Sequence, residues 1–135
     1  MRKIKEDLKY LKGKFDVVIF GSYAKGEQYP SSDIDIAVIT HIESESENIE
    51  VQKSLFGKFD PIYDLRVFEL FPIDIKISII RNYEVLFGDD LDISEYFYKY
   101  RKRWEDVKNR IFSNQFKDFR ERMRIRKQYL EGKKT

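Results

Sequence analysis

Gly21-Ser22, followed ten residues later by Asp33-Ile34-Asp35, carries the residue types and the spacing for phosphate chemistry. Side chains alternate along a strand, so Asp33 and Asp35 point to one face if Ile34 lies in extended chain. Paired hard oxygen donors placed this way suit Mg2+, which prefers one or two carboxylates plus substrate phosphates to a closed protein cage. Gly21 and Ser22 supply backbone N–H groups and a hydroxyl where a helix starts, a favourable place for phosphate oxygens. The two halves together imply a nucleoside triphosphate held across a metal site.

The elements that must position these residues are legible on both sides. Val17-Val18-Ile19-Phe20 and Ile36-Ala37-Val38-Ile39 are apolar runs that read as strands over 16–20 and 34–40. Between them, 22–27 reads as a short helix and 27–32, with Pro30, as a loop. Upstream, Ile4, Leu8 and Leu11 recur at helical spacing over 2–12, and Gly13 ends the pattern. Downstream, a helix is expected from about 46 to 56 with Gly57 as its stop, then an alternating strand over 62–69. The stretch 73–80 is ambiguous. Ile73, Ile75, Ile77 and Ile79 alternate as in a strand, while Pro72 and the Ile73/Ile77/Ile80 spacing favour a helix. Val85-Leu86-Phe87 reads as a short closing strand.

With 41% hydrophobic and 16% aromatic residues the chain can bury a core, which excludes global disorder. There is no cysteine, so disulfides and thiolate metal sites are excluded. No apolar run approaches the roughly 20 residues that cross a bilayer, and the charged start, Met1-Arg2-Lys3, lacks the apolar stretch of a signal peptide. A soluble cytoplasmic protein with no membrane contact is the expectation. Residues 1–90 carry 12 Lys/Arg against 17 Asp/Glu, a balance of −5; residues 91–135 carry 14 against 7, a balance of +7. The chain therefore divides into an acidic body, 1–90, and a basic helical extension, 91–135.

In the extension, Ile93, Phe97, Tyr100, Trp104, Val107 and Ile111 form an apolar seam at spacings of four and three. The register slips near Ser113-Asn114, so two helices are expected, about 92–112 and 115–131. The plain reading packs the first of these helices on the body or on its neighbour; the functional one offers the seam, flanked by Lys and Arg, to a partner protein or RNA.

Gly21-Ser22 and Asp33-X-Asp35, with an apolar strand on each side, resemble the polymerase-β-type nucleotidyltransferase superfamily. The likeness is to its minimal nucleotidyltransferase branch, which includes antitoxins paired with HEPN-domain proteins. It covers about residues 15–90 and takes in Asp64 to Pro72 and Glu84 to Gly88. The resemblance implies an α/β (α+β) nucleotidyltransferase fold, a small mixed sheet flanked by helices, and it settles 73–80 as a helix. It implies that Gly21 and Ser22 hold the triphosphate of ATP, and that Asp33 and Asp35 bind two Mg2+ ions. Asp64 is then the third carboxylate, as metal ligand or proton acceptor. Asp60, Glu69 and Asp74 are its competitors, but Asp60 precedes Pro61 and reads as a turn, and Glu69 points away from Asp64 on a regular strand.

The reaction implied is transfer of a nucleoside monophosphate to a hydroxyl. Attack on the α-phosphorus builds charge that two metal ions about 3.5–4 Å apart can neutralise. A tyrosine of a HEPN-type toxin is the acceptor the antitoxin likeness suggests. An RNA end reached through the basic tail, a catalytically silent binding role and a homo-oligomer stay open. Lys25 can approach phosphate or stand solvated. Arg66 can pair with Asp64 or touch a phosphate, the ion pair being preferred. His41 reads as a solvated turn residue, and Tyr63, Tyr83 and Tyr96 as packing residues.

Overall fold

The computed structural model describes residues 3–21, 24 and 33–132, the side chains of 115, 116, 119 and 125–132 apart. Strands β1 (Asp16–Phe20), β2 (Ile34–Ile39), β3 (Tyr63–Val67) and β4 (Tyr83–Phe87) form one sheet in the order β3-β2-β1-β4. β1 pairs antiparallel with both β2 and β4, while β2 and β3 are parallel. A parallel pair needs a crossover, and α2 (Glu45–Leu55) supplies it. α1 (Ile4–Asp7) precedes the sheet; α3 (Ile73–Arg81) and α4 (Asp90–Gly132) follow β3 and β4.

The apolar alternation decides the two faces of the sheet. Val17, Ile19, Ile34, Ile36, Val38 and Tyr63 lie on one face and form a core with Ile4, Leu8 and Leu11 from the N-terminal helical turns and Leu55 from α2. On the other face, Phe20 meets Phe71 at 5.9 Å between ring centres and Tyr83 meets Phe97 of α4 at 5.0 Å. Asp35 shares a side with Phe20 by register and belongs to this second face.

Several expectations are met closely. α2 is capped by Ser44, whose Oγ accepts from the Glu47 N–H at 3.4 Å, and it stops before Gly57 at φ +77. Residues 73–81 are helical, with Ile77, Ile79 and Ile80 buried. At the N-terminus the expected helix is shorter. Four residues of α-helix give way at Leu8 to a 3-10 turn, yet Ile4, Leu8 and Leu11 are buried as the spacing required.

β3 ends at Val67 rather than running on, because Phe68–Leu70 coil into a 3-10 turn that buries Phe68. The calls for a helix at 22–27 and a loop at 27–32 lie outside the described residues.

The expected break near Ser113-Asn114 is absent. α4 is one helix over Asp90–Gly132, since Ser113 and Asn114 are exposed and neither removes a backbone donor as proline would. The chain separates into two compact units, Met1–Arg101 and Lys102–Thr135. In the first, the start of the seam is buried at Ile93, Phe97 and Tyr100, with Phe97 against Phe68 and Tyr83 and Tyr100 against Phe68. In the second, Phe112 is 69% and Met123 50% exposed. No helix among the described residues is long and apolar enough to cross a membrane.

Candidate active site

The site is built where β1 ends and β2 and β3 begin. Antiparallel pairing sets Phe20, the last residue of β1, opposite Asp35, so the chain turns at Gly21 directly over that carboxylate. Gly21 has φ +75, and a Cβ there would collide with Asp35 Oδ2. Glycine meets both demands without strain or displacement of that carboxylate. Parallel pairing sets Asp64 opposite Asp35, and alternation puts both on the face that Asp33 adjoins. Asp60, Glu69 and Asp74 are placed elsewhere. Asp60 closes a turn through Oδ1 to the Ile62 N–H at 3.0 Å, Glu69 lies in the turn after β3, and Asp74 is exposed in the first turn of α3.

Burial raises the Asp35 carboxyl above its ordinary value; the charges of Asp64 and then Asp33 add to the rise, and Arg66 opposes it. Arg66 reaches Asp64 with Nε 3.2 Å from Oδ1, the ion pair preferred from the sequence. Ser22 and Lys25 lie outside the described residues.

Among the described residues no three His, Cys, Asp or Glu side chains converge as a ligand set. Mg2+ asks for less, since one or two carboxylates complete its shell with water and substrate phosphate. Asp33 and Asp35 have that number and chemistry, and the mutual repulsion of the three aspartates is of the sign a cation relieves. The donor set fits Mg2+.

Three features were out of reach of the sequence. Gln52 of α2 donates from Nε2 to the Leu65 carbonyl at 3.0 Å and accepts at Oε1 from the Val67 N–H at 2.7 Å, clamping the outer edge of β3. Beside that clamp, a cleft of about 590 Å3 is lined by Phe56, Phe59, Asp64, Leu65 and Arg66 among others.

At the far end of the sheet, Glu69 accepts from the Thr40 N–H at 3.1 Å, the His41 N–H at 2.8 Å and the Tyr96 hydroxyl at 2.7 Å. His41, at φ +60, has Nε2 2.6 Å from Asp16 Oδ2 and its ring 4.2 Å from that of Tyr96. It is an exposed turn residue, as expected, that also connects β1 to α4. No sequence signal marks such pairings, because the partners are 25–29 residues apart or on other elements. The three tyrosines pack, as expected; Tyr63 is buried and donates to Asp7 Oδ2 at 2.6 Å.

A glycine turn over an Asp-X-Asp strand, with a third aspartate on its parallel neighbour, defines a nucleotidyl-transfer enzyme of the polymerase-β kind. The family pattern of the nucleotidyltransferase domain matches residues 1–129, and the chain belongs to that family. A Methanocaldococcus jannaschii protein to which protein adenylyltransferase activity is ascribed, MJ1547, is 41% identical over 120 residues, spanning 85% of this chain and 89% of that one.

Two solved structures share the fold. One is a toxin–antitoxin crystal structure with AMP-PNP (TM-score 0.59, 24% identity, 78% of this chain and 86% of that one). The other is a tri-AMPylated Shewanella oneidensis HEPN toxin in complex with its MNT antitoxin (TM-score 0.53, 21% identity, 78% and 83%).

Proposed function

We propose that this nucleotidyltransferase moves AMP from ATP onto a protein hydroxyl, the tyrosine of a HEPN-type partner, in an antitoxin role. The carrying observation is the register that sets Asp35 opposite Asp64 beneath Gly21. The adenylyltransferase ascribed to the M. jannaschii relative and the AMPylated toxin in a structure of the same fold support the choice of nucleotide and acceptor.

In this reading the acceptor oxygen bonds to the α-phosphorus, the bond to pyrophosphate breaks, and the hydroxyl proton passes to Asp64. Gly21 offers its backbone to the triphosphate, joined by Ser22 and Lys25. Asp33 and Asp35 would hold Mg2+, which when bound would supply charge neutralisation at the phosphates. Residues 1–90 form the catalytic body and 91–135 a basic extension; exposed Phe112 and Met123 on the extension suit a protein surface better than RNA. The location is the cytoplasm.

The test is incubation of the chain with labelled ATP, Mg2+ and a HEPN-type protein. Label should appear on a partner tyrosine and vanish with Asp35→Asn or with chelation. Label on RNA instead, falling steeply with salt, would replace this reading with the RNA-end one.

A further inference from the structure

We propose that the cleft between the end of α2 and the outer edge of β3 is the docking groove for the acceptor, taking an extended polypeptide segment that delivers its tyrosine to Asp64. The inference rests on the transfer reading above and adds to it the surface that selects the acceptor.

The groove follows from strand geometry. The Ile34 N–H donates to the Ile62 carbonyl at 2.8 Å, which fixes the alternation: even-numbered backbone groups of β3 face β2 and odd-numbered ones face outward. Gln52 takes two outward groups, the Leu65 carbonyl and the Val67 N–H. The Leu65 N–H faces outward as well, on the cleft side of that clamp. An extended segment laid there gains a main-chain bond at a sheet edge, a recurrent way of recognising peptides.

A side-chain seat lies beside it. Phe56 caps α2 in an extended conformation, and Gly57 at φ +77 turns the chain away, which leaves Phe56 88% exposed. With Phe59 and Leu65 it makes an apolar wall in a cleft of about 590 Å3, within the roughly 300–1,000 Å3 usual for small-ligand sites.

Charge chooses the class of occupant. Asp64 and Arg66 are the charged residues of the lining, one of each sign, so the cleft carries no net charge. A nucleic-acid backbone needs a basic groove; a neutral apolar one beside a carboxylate fits an aromatic hydroxyl on a peptide. Asp64 belongs both to this cleft and, by register, to the locus of Asp35, so an occupant's hydroxyl meets the reacting end of the site.

The experiment uses the full chain, labelled ATP, Mg2+ and a random copolymer of Ala, Glu, Lys and Tyr as acceptor, with Mg-ATP affinity measured separately by calorimetry. Phe56→Ala should raise KM for the copolymer about tenfold, with kcat and Mg-ATP affinity within twofold, and Phe56→Trp should restore it. Labelling with KM unmoved by Phe56→Ala would overturn the groove and leave the transfer reading standing. Mg-ATP binding without any copolymer labelling would also overturn it as a tyrosine groove. Absence of Mg-ATP binding would remove the transfer reading itself, and the groove with it.

Discussion

Replacing Asp35 by asparagine should stabilise the metal-free protein while abolishing transfer. Asp35 and Asp64 are register partners on adjacent strands, and neighbouring strands lie about 5 Å apart. Two unit charges at about 5 Å repel by about 1 kcal/mol in water and by about 3 kcal/mol at an effective dielectric of about 20. Asp35 is half-buried and Arg66 offsets part of the field, so the lower figure applies. Asp35→Asn should then raise stability by about 1 kcal/mol, a shift in Tm of about 4 °C for a domain of this size.

The pH dependence carries the sign of the effect. Burial first, and then the charges of Asp64 and Asp33, hold the folded carboxyl above the usual carboxylate range, so the folded state binds the proton more readily than the unfolded one. The penalty is absent below the unfolded value and fully present above the folded one. The advantage of Asp35→Asn should therefore shrink as pH falls through that window. Thermal unfolding followed by circular dichroism, with and without Mg2+, reads all of this: Mg2+ should raise the Tm of the native chain and leave that of the variant unmoved. A variant less stable than the native chain at pH 7 without Mg2+ would refute the argument from repulsion.

Other outcomes follow from the same geometry. Gly21→Ala should lower AMP transfer by at least tenfold, because the new Cβ displaces Asp35 and the positive φ costs about 1 kcal/mol besides; steady-state kinetics beside a Tm measurement separate the two losses. Glu69→Ala takes the acceptor from two backbone N–H groups and leaves the Tyr96 phenol with Tyr100 alone, and should cost about 3 kcal/mol in urea unfolding. Gln52→Ala removes both bonds at the edge of β3 and should cost about 2 kcal/mol, with faster amide exchange at Val67. Arg66→Gln removes the charge that, among the described residues, favours ionised Asp35, so the acid limb of the transfer profile should move to higher pH.

Much of the fold could be read from pattern. β1 and β2 are apolar enough to announce themselves, and Gly57 ends α2 where a positive φ is needed. The stretch 73–80 was different. Its isoleucines satisfy period two and period 3.6 at once, and the likeness to a family decided for the helix that the structure contains.

The break assigned to Ser113-Asn114 failed because a slip in an apolar seam is not a helix stop without glycine or proline. Within the site, the Asp33-X-Asp35 spacing could be singled out from the sequence because Asp33 abuts the start of β2 and Asp35 lies two residues on, inside it. The pairing of Asp64 with Asp35 could not, since it depends on a parallel register that α2 sets across the sheet. Glu69 could be set aside as a ligand from strand parity. Its actual partners could not be named, because they come from the exit of β2 and from α4.

The bonds of Glu69 have a consequence for how the molecule opens. They tie the loop leaving β2, the turn after β3 and the first turns of α4 through one half-buried carboxylate, with Tyr100 accepting or donating to Tyr96 at 3.1 Å. None of these elements can separate without exposing that carboxylate's partners together, so they should melt as one cooperative unit. The Asp35 end of the sheet has no such tie among the described residues; it is held by strand pairing against the repulsion of its aspartates. Slow amide exchange at Thr40 and His41, with faster exchange near Asp35, would then mark a domain hinged at its far end and yielding at the end where the proposed transfer places its substrate.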